Sequence, residues 1–169
     1  MAGMTSEDLS VRSIESDEKD DCQYVINLVR EHFGSSRVVS RGRVHDCEKL
    51  DGFVAISGAR RTGLAQFDVR DGELEVVTLV SEVAGGGVGR RLLERVVAEA
   101  RRLEGVSRCW LITTNNNHNA INFYRHMGWV QCATHEGAVD EARKLKPEIP
   151  PTDDRGIEIK DELEFELKL

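Results

Sequence analysis

The stretch that decides the fold is Glu73 to Leu103, ELEVVTLVSEVAGGGVGRRLLERVVAEARRL. Its first part, Leu74 to Val80, is apolar and rich in β-branched residues, the composition of a buried strand. Gly85, Gly86, Gly87 and Gly89 follow, interrupted only by Val88. From Val88 the period lengthens. Val88, Leu92, Val96, Ala100 and Leu103 recur at helical spacing, with Arg90, Arg91, Glu94, Glu99 and Arg101 on other faces. Strand, glycine turn and helix in that order aim backbone N–H groups and the positive end of a helix at one spot. Such a spot suits an anion, above all a phosphate or pyrophosphate. Reversing the chain does not need so many glycines, each of which costs entropy in ordered backbone.

Working outward, Asp71-Gly72 marks a tight hairpin into the strand at Leu74. Before it, Gly52 to Ile56 and Gly63 to Val69 read as two strands joined by a polar turn around Arg60 and Arg61. Arg37 to Asp51, with short apolar pairs broken by charges, reads as a strand fragment and a loop. Leu9 to Ile14 alternates as a first strand. Ser16 or Asp17 would then cap a helix carrying Tyr24, Val25, Leu28, Val29 and Phe33, which Gly34 ends. On the other side, Gly105 stops the central helix and Val106 to Thr113 is a further buried strand, implying a parallel pair and a right-handed crossover. Asn117 caps a helix with Ala120, Phe123, Tyr124 and Met127 on one face, closed by Gly128. Trp129 to Ala133 begins another strand, and Gly137 to Lys146 has a short helical pattern before a loop holding Pro147, Pro150 and Pro151. The chain ends in an alternation, with Ile157, Ile159, Leu163, Phe165, Leu167 and Leu169 on one parity. Residues 1–8 read as a frayed terminus and 9–169 as a single α/β domain.

Thirty acidic residues against 23 basic ones give a net charge of −7, which leaves no basic stripe for nucleic acid. Cys22, Cys47, Cys109 and Cys132 lie far apart without a CxxC pair, as in a protein that keeps its thiols reduced. The first residues lack the apolar core of a signal peptide, and no stretch is apolar enough to span a membrane. A cytoplasmic protein is expected. It would be a monomer or a homodimer, the latter through pairing of its alternating last strand.

Two motifs carry a resemblance. Ala84-Gly85-Gly86-Gly87-Val88-Gly89 matches Gln/Arg-x-x-Gly-x-Gly/Ala, with Ala84 in place of the usual Gln or Arg. Asn117-x-x-Ala120-Ile121-x-Phe123-Tyr124-x-x-x-Gly128-Trp129 is close to N-x-x-A-x-x-x-Y-x-x-x-G-F. At this separation, and in this strand and helix context, the chain resembles the GNAT N-acetyltransferase superfamily over most of Phe53 to Leu169. A dinucleotide fold would instead open with its glycines and carry an acidic residue near the end of the second strand, which Ser107 to Thr113 lacks.

The resemblance implies a mixed, mostly antiparallel sheet flanked by helices, with a splayed parallel strand pair at the acyl-CoA site. It also implies direct acetyl transfer from acetyl-CoA to the primary amine of a small molecule or peptide, without metal. In that scheme Gly85, Gly86, Gly87, Val88, Gly89, Arg90 and Arg91 hold the CoA phosphates. Thr78, Leu79 and Val80 match the strand backbone that pairs with pantetheine, and Asn117 matches the residue that reaches its arm. Tyr124 matches the general acid near the thioester sulfur. Glu75 occupies a strand position often used for a carboxylate base, and its apolar neighbours would strengthen it as one. Glu82, His45 and Asp46 are reserve bases. Arg41 and Arg43 fall where the acceptor wall lies and suit a carboxylate or phosphate on the substrate. His118, His126 and His135 follow no metal-ligand pattern. A non-catalytic acyl-CoA sensor or partner-binding module is the alternative reading.

Overall fold

The computed structural model describes residues 8–169. The terminus expected to fray lies outside the described residues apart from Asp8. The chain runs β1 (Leu9–Ser13), α1 (Lys19–Phe33), β2 (Arg37–Ser40), β3 (Arg43–Asp46), β4 (Asp51–Ser57), β5 (Arg60–Arg70) and β6 (Glu73–Ser81). It continues through α2 (Val88–Arg102), β7 (Arg108–Thr114), α3 (His118–His126), β8 (Val130–His135), α4 (Ala138–Leu145) and β9 (Glu162–Lys168). A seven-stranded sheet has the order β1-β4-β5-β6-β7-β9-β8, antiparallel except for β6 and β7, and β2-β3 form a separate hairpin. No helix among the described residues is long and apolar enough to cross a membrane.

Helices cover both faces. Val88, Leu92, Leu93, Val96 and Ala100 of α2, with Ile121 and Tyr124 of α3, pack on Phe53, Ala65, Leu74, Val76, Leu111 and Phe165. Val25, Leu28 and Val29 of α1 pack on Leu64 and Val80 of the opposite face. Gly63 sets how closely α2 approaches. A Cβ there would stand 2.6 Å from Val88 Cγ1 and 2.9 Å from Leu92 Cδ1, so the first turn of α2 lies directly on β5. The Asp71-Gly72 hairpin forms as expected, with φ of 54° and 75° and Arg70 opposite Glu73.

Five expectations change. Arg37 to Asp51 is a hairpin followed by a 3-10 turn at Cys47–Lys49, not a fragment and a loop. Arg60 and Arg61 lie inside β5, not in a turn, and α1 is capped by Glu18, whose side chain accepts from the Asp21 N–H. The last strand begins at Glu162, because the Asn115 Oδ1 accepts the N–H groups of Lys160 and Asp161 (2.9 and 3.0 Å) and holds the chain in a loop. That strand lies between β7 and β8 with both edges bonded, so it is not available to pair between chains.

Arg61 explains part of the first junction. Its Nε reaches Asp21 Oδ1 at 2.8 Å, and Arg12 Nη1 reaches Asp21 Oδ2 at 2.7 Å, tying β1, α1 and β5 through one buried carboxylate. The hydrogen bonds from Arg12, then those from Glu15 N–H and Arg61, outweigh burial and hold Asp21 far below the usual carboxylate range. Its folded pKa is depressed, so the contribution is full above the unfolded value of ~4 and disappears as pH falls further. Asp21→Asn should cost on the order of 2 kcal/mol at pH 7, less than a fully buried pair because Arg12 is partly in water. Denaturant unfolding should show that gap, and show it closing as pH is lowered below ~4.

Candidate active site

β6 and β7 pair only at Glu73↔Arg108, Leu74↔Cys109 and Glu75↔Trp110. Beyond Glu75 they part. A bulge in β6 sets Thr78 opposite Gln66 and Val76 opposite Phe67, leaving Val77 extra and bending the strand. From Val76 the edge of β6 facing β7 has no strand partner. The opening leads into a cleft of ≈ 500 Å³ whose walls include Val76 and Leu79 of β6, Leu111 and Thr113 of β7, and Asn117 and Tyr124 of α3.

β6 runs directly into the glycine turn, and α2 starts from Gly87 at φ 73° without any side-chain cap. Its first N–H groups therefore keep no partner from the chain's own side chains. Gly85, Gly86 and Gly87 are exposed, and Gly89 sits against Phe123 and Ser81 at the junction of α3 and β6. Arg90 and Arg91 are exposed, Arg90 with Glu94 at 2.9 Å. Thr78 and Val80 turn their side chains away from the cleft. Thr78 donates to Gln66 Oε1 at 3.2 Å, and Val80 packs against the α1 layer. Asn117 is an N-cap, its Oδ1 accepting from the Ala120 N–H at 3.3 Å, and it also lines the cleft.

Tyr124 and Glu75 reach this cleft from opposite faces of the sheet. Tyr124 is buried among Phe123, Trp129 and Phe165, with ring centroids 5.4, 6.3 and 5.9 Å away. Burial pushes its phenol well above the usual value, which keeps the hydroxyl protonated at neutral pH. Glu75 is 7 % exposed and points to the α1 face, where His45 Nε2 stands 3.2 Å from its Oε2. Two reserve bases are committed elsewhere. Glu82 accepts from the Tyr24 hydroxyl at 2.7 Å, and Asp46 caps the 3-10 turn and pairs with Lys49.

The β2–β3 hairpin lies over this face and carries the two arginines. Arg41 Nη1 is 3.1 Å from Glu164 Oε1, and Arg43 Nη2 is 3.1 Å from Asp68 Oδ2, so both already have carboxylate partners. They border a second, polar cavity of ≈ 300 Å³ with Asp68, Arg70, Glu73 and Trp110, and this cavity shares Ser40 and Glu75 with the first. Glu162 and Glu164, which sequence reasoning missed, are buried here. Burial raises the Glu162 carboxyl, against the Arg41 N–H that it accepts at 3.3 Å. Burial would also raise Glu164, but hydrogen bonds from Cys132, His135 and Arg108 prevail and leave it below the ordinary value. Their signal was the second parity of the last strand, Glu162-Glu164-Glu166, which alternation alone assigns to solvent.

The acetyltransferase (GNAT) family matches residues 7–129, and the chain belongs to that family. It is 36% identical over 135 residues to the uncharacterized protein YdhI of Bacillus subtilis, covering 79% of this chain and 84% of that one. Two solved structures share the fold. A Bacillus subtilis acetyltransferase in complex with CoA has a TM-score of 0.69 at 17% identity, covering 95% of this chain and 99% of its own. The Escherichia coli ribosomal-protein-S18-alanine N-acetyltransferase has a TM-score of 0.64 at 19% identity, covering 95% and 93%.

Proposed function

We propose that the chain is a cytoplasmic enzyme that transfers the acetyl group of acetyl-CoA directly to a primary amine. One observation carries this reading: the strands part after three pairs, and the gap admits Glu75 from one face and Tyr124 from the other. The residues fit the donor. The unpaired edge of β6 at Thr78, Leu79 and Val80 would hold pantetheine as an added strand. The uncapped start of α2, from Gly85 through Arg91, would take the pyrophosphate on its N–H groups. Acetyl-CoA supplies the activated acyl group, and the chain's own side chains handle the protons.

The amine must lose a proton to attack, and Glu75 is the base that takes it. Tyr124, held protonated by burial, donates to the departing thiolate, while Asn117 positions the arm beside it. Arg41 and Arg43 border the acceptor side, where the amine's remaining groups would meet them. An acyl-CoA sensor would bind acetyl-CoA without turnover. CoA release with spermidine, kanamycin, L-lysine and an alanyl peptide as acceptors separates the two readings, since release with any of them excludes a pure sensor.

Gly87 has open space around it and a left-handed φ, so a side chain there costs the free protein only ~1–2 kcal/mol. It would, however, project where the phosphates bind. Gly87→Glu should abolish the thermal stabilisation given by acetyl-CoA, which for the parent chain amounts to ~2.7 kcal/mol at a hundredfold excess over Kd. Undiminished stabilisation would remove the glycine turn from the donor site. Glu75→Gln should lower kcat by about 10²–10⁴-fold, most severely at low pH where little free amine exists, and Tyr124→Phe by about 10²-fold. Both should leave the thermal response to acetyl-CoA intact.

A further inference from the structure

Glu162 of β9 is 3 % exposed and lines the cleft, and its only hydrogen bond among the described residues comes from the Arg41 N–H at 3.3 Å. That bond brings Ser40, the last residue of β2, to the same wall. Ser40 is 5 % exposed and lines both cavities, yet its hydroxyl has no hydrogen-bond partner among the described residues. Buried polar atoms are nearly always satisfied, and buried carboxylates are nearly always paired with a cation. An orphaned hydroxyl beside a carboxylate that lacks one marks a place that a ligand completes. Burial first, and the nearby Glu75 charge with it, raise the Glu162 carboxyl, against the Arg41 N–H and His135. A cation set beside Glu162 would offset both effects. The described residues leave none free inside the cleft. The Lys146 ammonium is held by the Phe33 and Arg37 carbonyls, and His32 is exposed at the end of α1. In the adjoining polar cavity Arg41 is matched by Glu164, Arg43 by Asp68, and Arg70 stands 3.7 Å from Asp71.

We propose that Ser40 and Glu162 hold a second ammonium group of the acceptor, which makes the chain an acetyltransferase of aliphatic diamines and polyamines. The proposal rests on Glu75 serving as base toward an amine in this cleft, as given above. One nitrogen of the acceptor meets Glu75 and gives up its proton. The other stays charged, donating to the Glu162 carboxylate and to the Ser40 hydroxyl oxygen, and a methylene chain joins the two. A charged nitrogen is what this wall lacks, whereas a carboxylate on the acceptor would face Glu75 and Glu162 with no free cation to receive it. A monoamine leaves Ser40 and Glu162 without partners and gains nothing from them.

1,4-Diaminobutane and n-pentylamine are matched in length and differ in carrying an ammonium or a methyl group at the far end. The parent chain should favour the diamine in kcat/KM by about 10–100-fold, as a hydrogen bond to a charged group implies. Glu162→Gln keeps an oxygen for the Arg41 N–H and should bring that ratio close to one, chiefly through KM for the diamine. Ser40→Ala should reduce the ratio about 3–10-fold. Because the ratio is taken within one variant, a general loss of rate or of folded protein cancels. No preference in the parent, or a preference that survives Glu162→Gln, overturns the diamine site and leaves the transferase standing. Titration calorimetry of the CoA-saturated chain tests the site without turnover. 1,4-Diaminobutane should bind Glu162→Gln about tenfold more weakly than the parent, or worse, and equal affinity defeats the proposal. A parent that releases no CoA with any amine overturns the transferase reading, and diamine binding lost in Glu162→Gln then still upholds the ammonium site.

Discussion

The short pairing of β6 with β7 is the constraint on which the rest of the structure depends. Parallel strands with longer shared edges would seal the sheet, and its two faces would never communicate. Here three pairs are followed by divergence, with the Val77 bulge adding to the bend. A hole through a sheet leaves backbone groups and apolar edges unpaired, which a protein tolerates only where something else fills the space. The divergence also puts the end of β6 where the glycine turn and the open start of α2 must follow. Gly63 lets α2 lie close enough for that start to stay beside Ser81 and Phe123.

The same constraint explains the charges on the α1 face. β6 and β9 present Glu73, Glu75, Glu162, Glu164 and Glu166 there, a concentration of carboxylates that burial would oppose unless it were offset. Arg108 offsets three of them. It bonds Glu73 and Glu166 at 2.8 Å and Glu164 at 3.2 Å, and those bonds, led by that to Glu73, raise its guanidinium further. Arg41 adds a second contact to Glu164. Glu75 and Glu162 are left without a guanidinium partner among the described residues, and these two line the cleft. The ionic network therefore neutralises the carboxylates that hold the strands together and spares those that line the cleft.

This pattern also explains what the sequence made legible. The glycine turn, α2 and the Asn117 cap follow from local rules, because each is decided within a few residues by backbone freedom, period or a capping oxygen. The motif residues Asn117 and Tyr124 line one cleft with the strand residues Glu75 and Leu79. The hairpin at Arg37 to Asp46 defeats hydrophobic patterning for a physical reason. It covers a polar sheet face, so its inward residues include Arg41, Arg43 and His45, which read as loop charges. Glu162 and Glu164 were hidden in the same way: alternation tells which residues share a face but not whether that face is covered.

The two walls of the cleft are assembled differently. Glycine turn, splayed strands and α3 all fall within residues 7–129, the part that matches the family. Much of the opposite wall does not. Val139 and Ala142 of α4, Lys146, Ile159 and Glu162 line the cleft from beyond that limit. Lys146 binds this wall together by donating to the Phe33 carbonyl at the end of α1 and, at 2.8 Å, to the Arg37 carbonyl at the start of the hairpin. Burial lowers the lysine's affinity for its proton, and its ammonium meets one carbonyl at a helix C-terminus and one at the hairpin. One buried ammonium thus fixes α4, α1 and the hairpin relative to one another. The family match consequently covers the glycine turn, the splayed strands and α3, whereas much of the facing wall of the cleft comes from residues beyond it.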